Sequence, residues 1–217
     1  TNYPQKYNNH LMFSTEACYF KSQEFKKIKE STTALQELET SSLKTIDTSD
    51  KNRYKLIKWV TNFIKEYDYG KNIKGLYLHG NFGCGKTYIL SACFNEMKKR
   101  GFRTKIVYLP DLLRTIKGDF EAMNDIMDEL CNIDILLIDD IGAEKVTDWG
   151  RDEILGTILQ SRMNEHKTTF FTSNFTIKEL EEHLSNKGVD KVKANRIIER
   201  IKQLTIDMEM LGANMRK

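Results

Sequence analysis

Residues 75–92 read GLYLHGNFGCGKTYILSA, and within them Gly80-Asn81-Phe82-Gly83-Cys84-Gly85-Lys86-Thr87 satisfies the spacing G-x-x-x-x-G-K-[ST] in full. Glycines at these positions let successive backbone N–H groups turn inward around an anion, and the helix that follows presents its positive end to the same point. An apolar run, Leu76 to Leu78, precedes the loop, and Ile89, Leu90, Cys93 and Met97 recur on one helical face after it. A strand, a phosphate loop and a helix are expected here. The predicted nucleotide-binding residues are Gly80, Asn81, Phe82, Gly83, Cys84, Gly85, Lys86, Thr87 and Tyr88, with Lys86 reaching the β- and γ-phosphates and the Thr87 hydroxyl ligating Mg²⁺. Cys84, beside a helix N-terminus and Lys86, reads either as a reactive thiol that bound nucleotide shields or as a small residue filling a variable position of the loop.

Outward from this loop, short apolar runs alternate with helical stretches. TKIVYLP precedes a helix over 111–131, IDILLIDD one over 148–166, and TTFFTS helices over 176–184 and 190–203; LTIDMEM is the last run. Five strands alternating with helices predict an α/β fold, a five-stranded parallel sheet flanked by helices on both faces. Upstream, Leu56, Val60, Phe63 and Tyr67 recur at helical spacing after the cap candidates Thr48, Ser49 and Asp50, and Gly70 closes that helix. Residues 1–47 carry little periodicity and read as a linker or N-terminal extension, which leaves 48–217 as the predicted domain.

The run Ile135-Leu136-Leu137-Ile138-Asp139-Asp140 is a buried strand with two carboxylates at its C-terminal end, the edge at which open α/β sheets bind ligands. Asp139 is placed to hold Mg²⁺ and Asp140 to orient the attacking water, with Glu144 a second candidate for that role. Asn174, ending the TTFFTS run, suits either a turn or a side chain that reaches the γ-phosphate. Arg196 and Arg200, four apart on a predicted helix, share one face; they suit either solvated charge or a cation supplied to a neighbouring subunit.

Composition narrows the classes without choosing among them. With 40% apolar and 30% charged residues over 217 positions, two prolines and no basic-then-apolar leader, the chain reads as a globular protein of the cytoplasm with no membrane partner. Four cysteines without a CxxC pair support neither a zinc site nor a disulfide framework. The net charge of +3 is too small to announce nucleic acid. Over residues 187–217, eight Lys/Arg against four Asp/Glu give +4, which reads as a solvated surface ahead of a specific anionic partner.

Taken together, GLYLHGNFGCGKTYILSA, LLIDDIGAE, WGRDEILGTILQSRM, FFTSNF and ANRIIERI resemble, in order and spacing, the AAA+ ATPases, and among them the bacterial primosomal helicase loaders of the DnaI/DnaC type; the resemblance covers about residues 45–217. It implies that Asn174 is the sensor 1 residue and that Arg196 and Arg200 lie in the arginine-finger motif. It also implies ATP-controlled delivery of a hexameric replicative DNA helicase onto single-stranded DNA, with ATP/ADP and Mg²⁺ as cofactors and self-assembly or a neighbouring AAA+ subunit completing the site. Two departures stand out. Asp140 replaces the usual Glu and is one methylene shorter, which argues for slow hydrolysis. The helicase-binding N-terminal domain of such loaders has no counterpart, so the ATPase domain alone is expected. For DNA contact, the segment 114–120 (RTIKGDF) combines bases with an aromatic, although a plain connection between helices would read the same. Transposition helper ATPases of the IstB type share the core and both motifs, a P-loop small-molecule kinase shares the loop, and a nucleotide-gated switch with scarcely any turnover fits Asp140.

Overall fold

The structure, a computed structural model, describes residues 40–46, 50–68, 71–119, 121–186 and 188–215. Residues 41–217 form one compact unit, to which all that follows refers. Most of the expected extension over 1–47 lies outside the described residues.

Helix α1 (Lys51–Glu66) begins where the Asp50 carboxylate accepts the Arg53 N–H at 2.9 Å, so the predicted cap is used. It ends as the Tyr67 N–H closes onto the Phe63 carbonyl; Gly70, the expected terminator, lies outside the described residues. The elements that follow are β1 (Gly75–His79), α2 (Lys86–Lys99), β2 (Thr104–Tyr108), α3 (Leu109–Gly118), α4 (Met123–Asn132), β3 (Ile135–Asp139), a π-helical segment (Trp149–Leu155) continuing into α5 (Gly156–Asn164), β4 (Thr168–Ser173), α6 (Ile177–Leu184), α7 (Lys191–Leu204) and β5 (Thr205–Glu209). All five predicted strands form. They pair in parallel in the order β2-β3-β4-β1-β5, so β4 lies between the two strands that carry the phosphate loop and the paired aspartates.

The helical stretch expected over 111–131 is two helices joined within the segment read as a plain connection: the Asp119 carboxylate takes the N–H groups of Glu121 and Ala122 and turns the chain between α3 and α4. The helix expected over 148–166 opens with π-type bonds, seen in the Gly156 N–H donating to the Arg151 carbonyl. Arg151, almost fully buried, binds Asp148, Asp152, Asp190 and the Leu184 carbonyl, tying this wider turn to α6 and to the start of α7.

Burial follows strand periodicity. Leu76, Leu78, Ile135, Leu137, Phe170 and Met208 face α1 and α2 in one cluster with Leu56, Val60, Phe63, Phe94 and Met97. Phe170 is its centre, with ring centroids of Phe63 and Phe94 at 5.1 and 5.4 Å in edge-to-face geometry. Each such ring removed from water contributes about 1.5–3 kcal/mol. Residues 41–46 lie against the same side, held by Asn95 donating to Ser41, with Leu43 and Ile46 packed on the cluster.

Arg162 is fully buried. Its guanidinium donates to the Thr169 hydroxyl at 2.8 Å and to the carbonyls of Leu130, Ile133 and Thr168 at 2.8, 2.9 and 2.7 Å. It thereby joins the end of α4 to the starts of β3 and β4, and burial pulls its pKa down to about 10. No helix among the described residues is long and apolar enough to cross a membrane.

Candidate functional site

The register sets His79, Ser173 and Glu209 side by side at the carboxyl edge of the sheet, with Tyr108 and Asp139 paired one residue earlier, level with Thr172. The loop after β1, the aspartates ending β3 and Asn174 after β4 therefore converge at one place.

The loop has the backbone that the motif demands. Gly83 at φ +70° and Gly85 at φ +99° occupy the left-handed region that side chains resist, and Gly85 leads directly into α2. Lys86, 8% exposed, sends its ammonium to the carbonyls of Gly80 and Asn81 and to Asn174 Oδ1, each at 2.9 Å. Asn174 Nδ2 donates in turn to Asp140 Oδ1 at 2.9 Å. One amide thus links the loop cation to the second aspartate. Beside this chain, the Thr87 hydroxyl donates to Asp139 Oδ1 at 2.8 Å and the Thr172 hydroxyl to the same oxygen at 2.6 Å. Burial raises the Asp139 pKa above the usual carboxylate range, and the neighbouring Asp140 charge adds to this; the two hydroxyls and the Lys86 charge offset it only in part.

Asp140 has φ +57°, a conformation Asp tolerates better than most residues, and its N–H donates to Thr172 Oγ1 at 2.8 Å. Glu144, the second candidate for the water-orienting role, is buried and accepts the Gly142 N–H at 2.7 Å; burial raises its pKa above the usual carboxylate range. It shapes the turn after β3, and its other oxygen lies 4.0 Å from His183 Nε2.

The other predicted residues divide. Phe82 is 70% exposed. The side chains of Asn81 and Tyr88 are engaged with Gly212 and Thr45, which leaves their backbones for the loop. Cys84 is 1% exposed and its Sγ donates to the Met210 carbonyl, so the reading of a reactive loop thiol does not hold: the thiol is shut into the core. Arg196 and Arg200 share α7 as expected. Arg196 is exposed and makes no hydrogen bond or ion pair among the described residues, whereas Arg200 Nε donates to Gln160 Oε1 at 2.9 Å. In the segment 114–120, Arg114 pairs with Asp111 at 2.6 Å, and Phe120 lies outside the described residues.

Sequence reasoning missed Thr172, whose hydroxyl bonds the Asp139 carboxylate and the Asp140 N–H, and Tyr108, which pairs with Asp139 in register at the carboxyl edge of the sheet. Burial and the acid groups Asp140, Asp111 and Asp139 raise the Tyr108 pKa. A Thr inside a strand carries no signal of its own. Its distance from the paired aspartates is visible only once β3 and β4 are known to be neighbours.

The donor set fits a magnesium nucleotide. A hydroxyl in contact with a carboxylate is the partial oxygen shell Mg²⁺ accepts when phosphates and water complete it. Among the described residues no group of three or more His, Cys, Asp or Glu forms an all-protein metal cage.

A family model described as AFG1-like ATPase matches residues 9–213. The replicative helicase loader DnaI of Bacillus subtilis (strain 168) is 39% identical over 186 residues, covering 83% of this chain and 60% of its own length. The chain therefore spans about three fifths of that curated relative. A crystal structure of DnaI matches with TM-score 0.75 at 45% identity, over 80% of this chain and 93% of that one. The crystal structure of the DnaC helicase loader, at 22% identity and TM-score 0.63 over 78% of this chain and 96% of that one, shows the shared fold. By its family model, its identity to DnaI and its five-stranded parallel sheet, the chain belongs to the AFG1-like ATPases, with an AAA+ domain of the DnaI/DnaC helicase-loader type.

Proposed function

We propose that this chain binds Mg·ATP or Mg·ADP at residues 80–88, hydrolyses ATP slowly, and uses that cycle to control delivery of a hexameric replicative DNA helicase onto single-stranded DNA at replication initiation or restart. The observation that carries the reading is the continuous chain Lys86–Asn174–Asp140 beside the Thr87–Asp139 pair, because it sets a cation, an amide, a water-orienting carboxylate and a metal-ligand pair around one phosphate loop. The identity to the helicase loader DnaI supports the partner.

In this reading the loop N–H groups and the Lys86 ammonium hold the β- and γ-phosphates, and Thr87 with Asp139 holds the metal. Bound Mg²⁺ neutralises charge on the phosphate oxygens. Asp140 orients the attacking water and accepts its proton. Asn174, already bonded to Asp140, fixes where that carboxylate points. The charge that develops on the γ-phosphoryl group in the transition state calls for a further cation beside Lys86 and the metal. The exposed Arg196 of a neighbouring AAA+ subunit supplies that cation, with Arg200 behind it on the same helix. The proposal includes residues 48–217 as the ATPase domain, residues 1–47 as a linker or N-terminal extension, and a cytoplasmic location.

The test is capture of a purified hexameric helicase by this chain with ATP, with ADP and without nucleotide, alongside calorimetry of Mg·ADP binding. Nucleotide-dependent capture that Lys86→Ala abolishes together with Mg·ADP binding supports the proposal. Unchanged nucleotide affinity in Lys86→Ala, or capture indifferent to nucleotide, overturns it.

A further inference from the structure

Beyond β5 the chain does not leave the domain. The Met210 N–H extends the β1 ladder by donating to the His79 carbonyl at 2.7 Å, and residues 211–215, without helix or strand of their own, then run along the phosphate loop. Asn81 clasps Gly212 from both sides, its Nδ2 donating to the Gly212 carbonyl and its Oδ1 accepting the Gly212 N–H at 3.1 Å. The Met215 N–H donates to the Gly83 carbonyl at 2.8 Å. Asn214 lies so close to Gly83 that a Cβ there would meet its Oδ1 at 1.9 Å. After Met210, which is buried, the apolar side chains Leu211 and Met215 are 47% and 58% exposed, so side-chain burial does not explain why the segment is held here.

We propose that residues 211–215 are a strap that positions the phosphate loop for its ligand, with the Met215 N–H and the Asn81 side chain as its two fastenings. The inference rests on the nucleotide reading above and deepens it. Its physical basis is the planar trans peptide, in which C=O and N–H point in opposite directions. The Gly83 carbonyl and the Cys84 N–H belong to one peptide unit. Holding that carbonyl outward against the strap turns the Cys84 N–H inward, toward the concave side of the loop where an anion is bound. At Gly83, whose φ of +70° is left-handed and which carries no side chain, the peptide would otherwise rotate easily. These fastenings use the N–H groups of Gly212 and Met215, the Gly212 carbonyl and the Asn81 amide, and none of the three bonds uses a backbone N–H of the loop. The strap preorganises the loop and does not plug it, so releasing it lowers affinity for any ligand whose phosphates enter the loop.

The experiment removes one hydrogen. Met215→Pro deletes the N–H that meets the Gly83 carbonyl, whereas Met215→Ala keeps it and changes only an exposed side chain. Calorimetry with Mg·ADP and with inorganic pyrophosphate is expected to show Met215→Pro raising Kd about five- to tenfold for both, the worth of one oriented hydrogen bond. Met215→Ala retains wild-type affinity. Asn81→Ala raises Kd likewise, and the double variant loses less than the product of the two, since both open one strap. The melting temperature of the nucleotide-free protein falls by no more than about 4 °C in Met215→Pro, which separates positioning from folding. Met215→Pro binding both ligands as wild type does overturns the strap while leaving the nucleotide site standing. A wild-type chain that binds neither ligand overturns the nucleotide reading and the strap with it.

Discussion

Thr172→Val tests the architecture of the aspartate pair at a single atom. Thr172 is 1% exposed, so the hydroxyl it loses has no water to replace it. That hydroxyl donates to Asp139 Oδ1 at 2.6 Å and accepts the Asp140 N–H at 2.8 Å. Valine keeps the shape of the side chain and makes neither bond. The bond to the carboxylate is worth about 1.5–3 kcal/mol and the neutral one about 0.5–1.5 kcal/mol, while the added methyl recovers roughly 0.8 kcal/mol. A net loss of about 1–4 kcal/mol follows, or about 2–15 °C in melting temperature for a domain of this size. Urea unfolding is the assay, with the midpoint shifted and the slope unchanged. Thr172→Ser restores the hydroxyl and most of the stability. Turnover falls at least about tenfold in Thr172→Val, because the Asp140 backbone loses its anchor, while nucleotide Kd stays within about threefold. A Thr172→Val protein within about 0.5 kcal/mol of wild type, or a Thr172→Ser protein as unstable as Thr172→Val, would refute the reasoning.

Asp139→Asn weakens the Mg²⁺ dependence of nucleotide binding, whereas Asp140→Asn leaves binding intact and lowers turnover; equal loss of binding in both, measured by calorimetry across a Mg²⁺ series, contradicts the division of roles. The buried Glu144 carboxyl has a raised pKa, so the folded state binds its proton more tightly than the unfolded state, and stability falls as pH rises from the ordinary carboxylate value through the raised one. Glu144→Gln, which still accepts the Gly142 N–H, is expected to melt higher than wild type at neutral pH and level with it in acid; a lower melting temperature at neutral pH counts against this. Arg196→Ala spares nucleotide affinity and removes stimulation by helicase or single-stranded DNA. Mixing it with Lys86→Ala restores part of the activity, and no recovery under conditions of proven assembly argues against a shared site. Arg200→Ala, which also breaks the bond to Gln160, costs about 1 kcal/mol of stability in urea unfolding where Arg196→Ala costs none.

How much of this was legible in the sequence depends on whether a residue's role is local. The loop at 80–87 and the run ending Asp139-Asp140 could be read directly, since backbone geometry and burial impose those residues at those spacings. The five strands followed from short aliphatic runs between turns. A connection between helices within 114–120 was legible too, but not what makes the turn, because a carboxylate that folds back on two N–H groups reads in sequence as any charged position. The π-helical turn at Trp149–Leu155 also escaped, because its spacing differs from 3.6 by less than one residue per turn and Arg151 reads as an ordinary charged position. The reactive reading of Cys84 came from its neighbours in sequence, Gly85 and Lys86. Met210, far along the chain, is what closes the thiol off.

The long-range contacts share one cause, the position of β4. Were β3 and β1 adjacent, the loop cation and the second aspartate would face each other directly, and nothing on β4 could stand between them. With β4 inserted, Asn174 at its end lies between the two and reaches both, its Oδ1 to Lys86 and its Nδ2 to Asp140. Thr172, two residues earlier, points the same way by strand periodicity and meets Asp139. A single strand thus contributes both groups that orient the aspartate pair, and a change in what Lys86 holds is transmitted through one amide to Asp140. The slow turnover proposed for the isolated domain then has a structural reading beyond the missing methylene at Asp140. That carboxylate is held by Asn174 for as long as Asn174 is held by Lys86, and a phosphate that draws Lys86 away frees the amide to turn. Asn174→Ala cuts this link, and the affinity of the variant for Mg·ATP relative to Mg·ADP reports on it, since ATP brings a γ-phosphate to the cation in addition to the β-phosphate that both share.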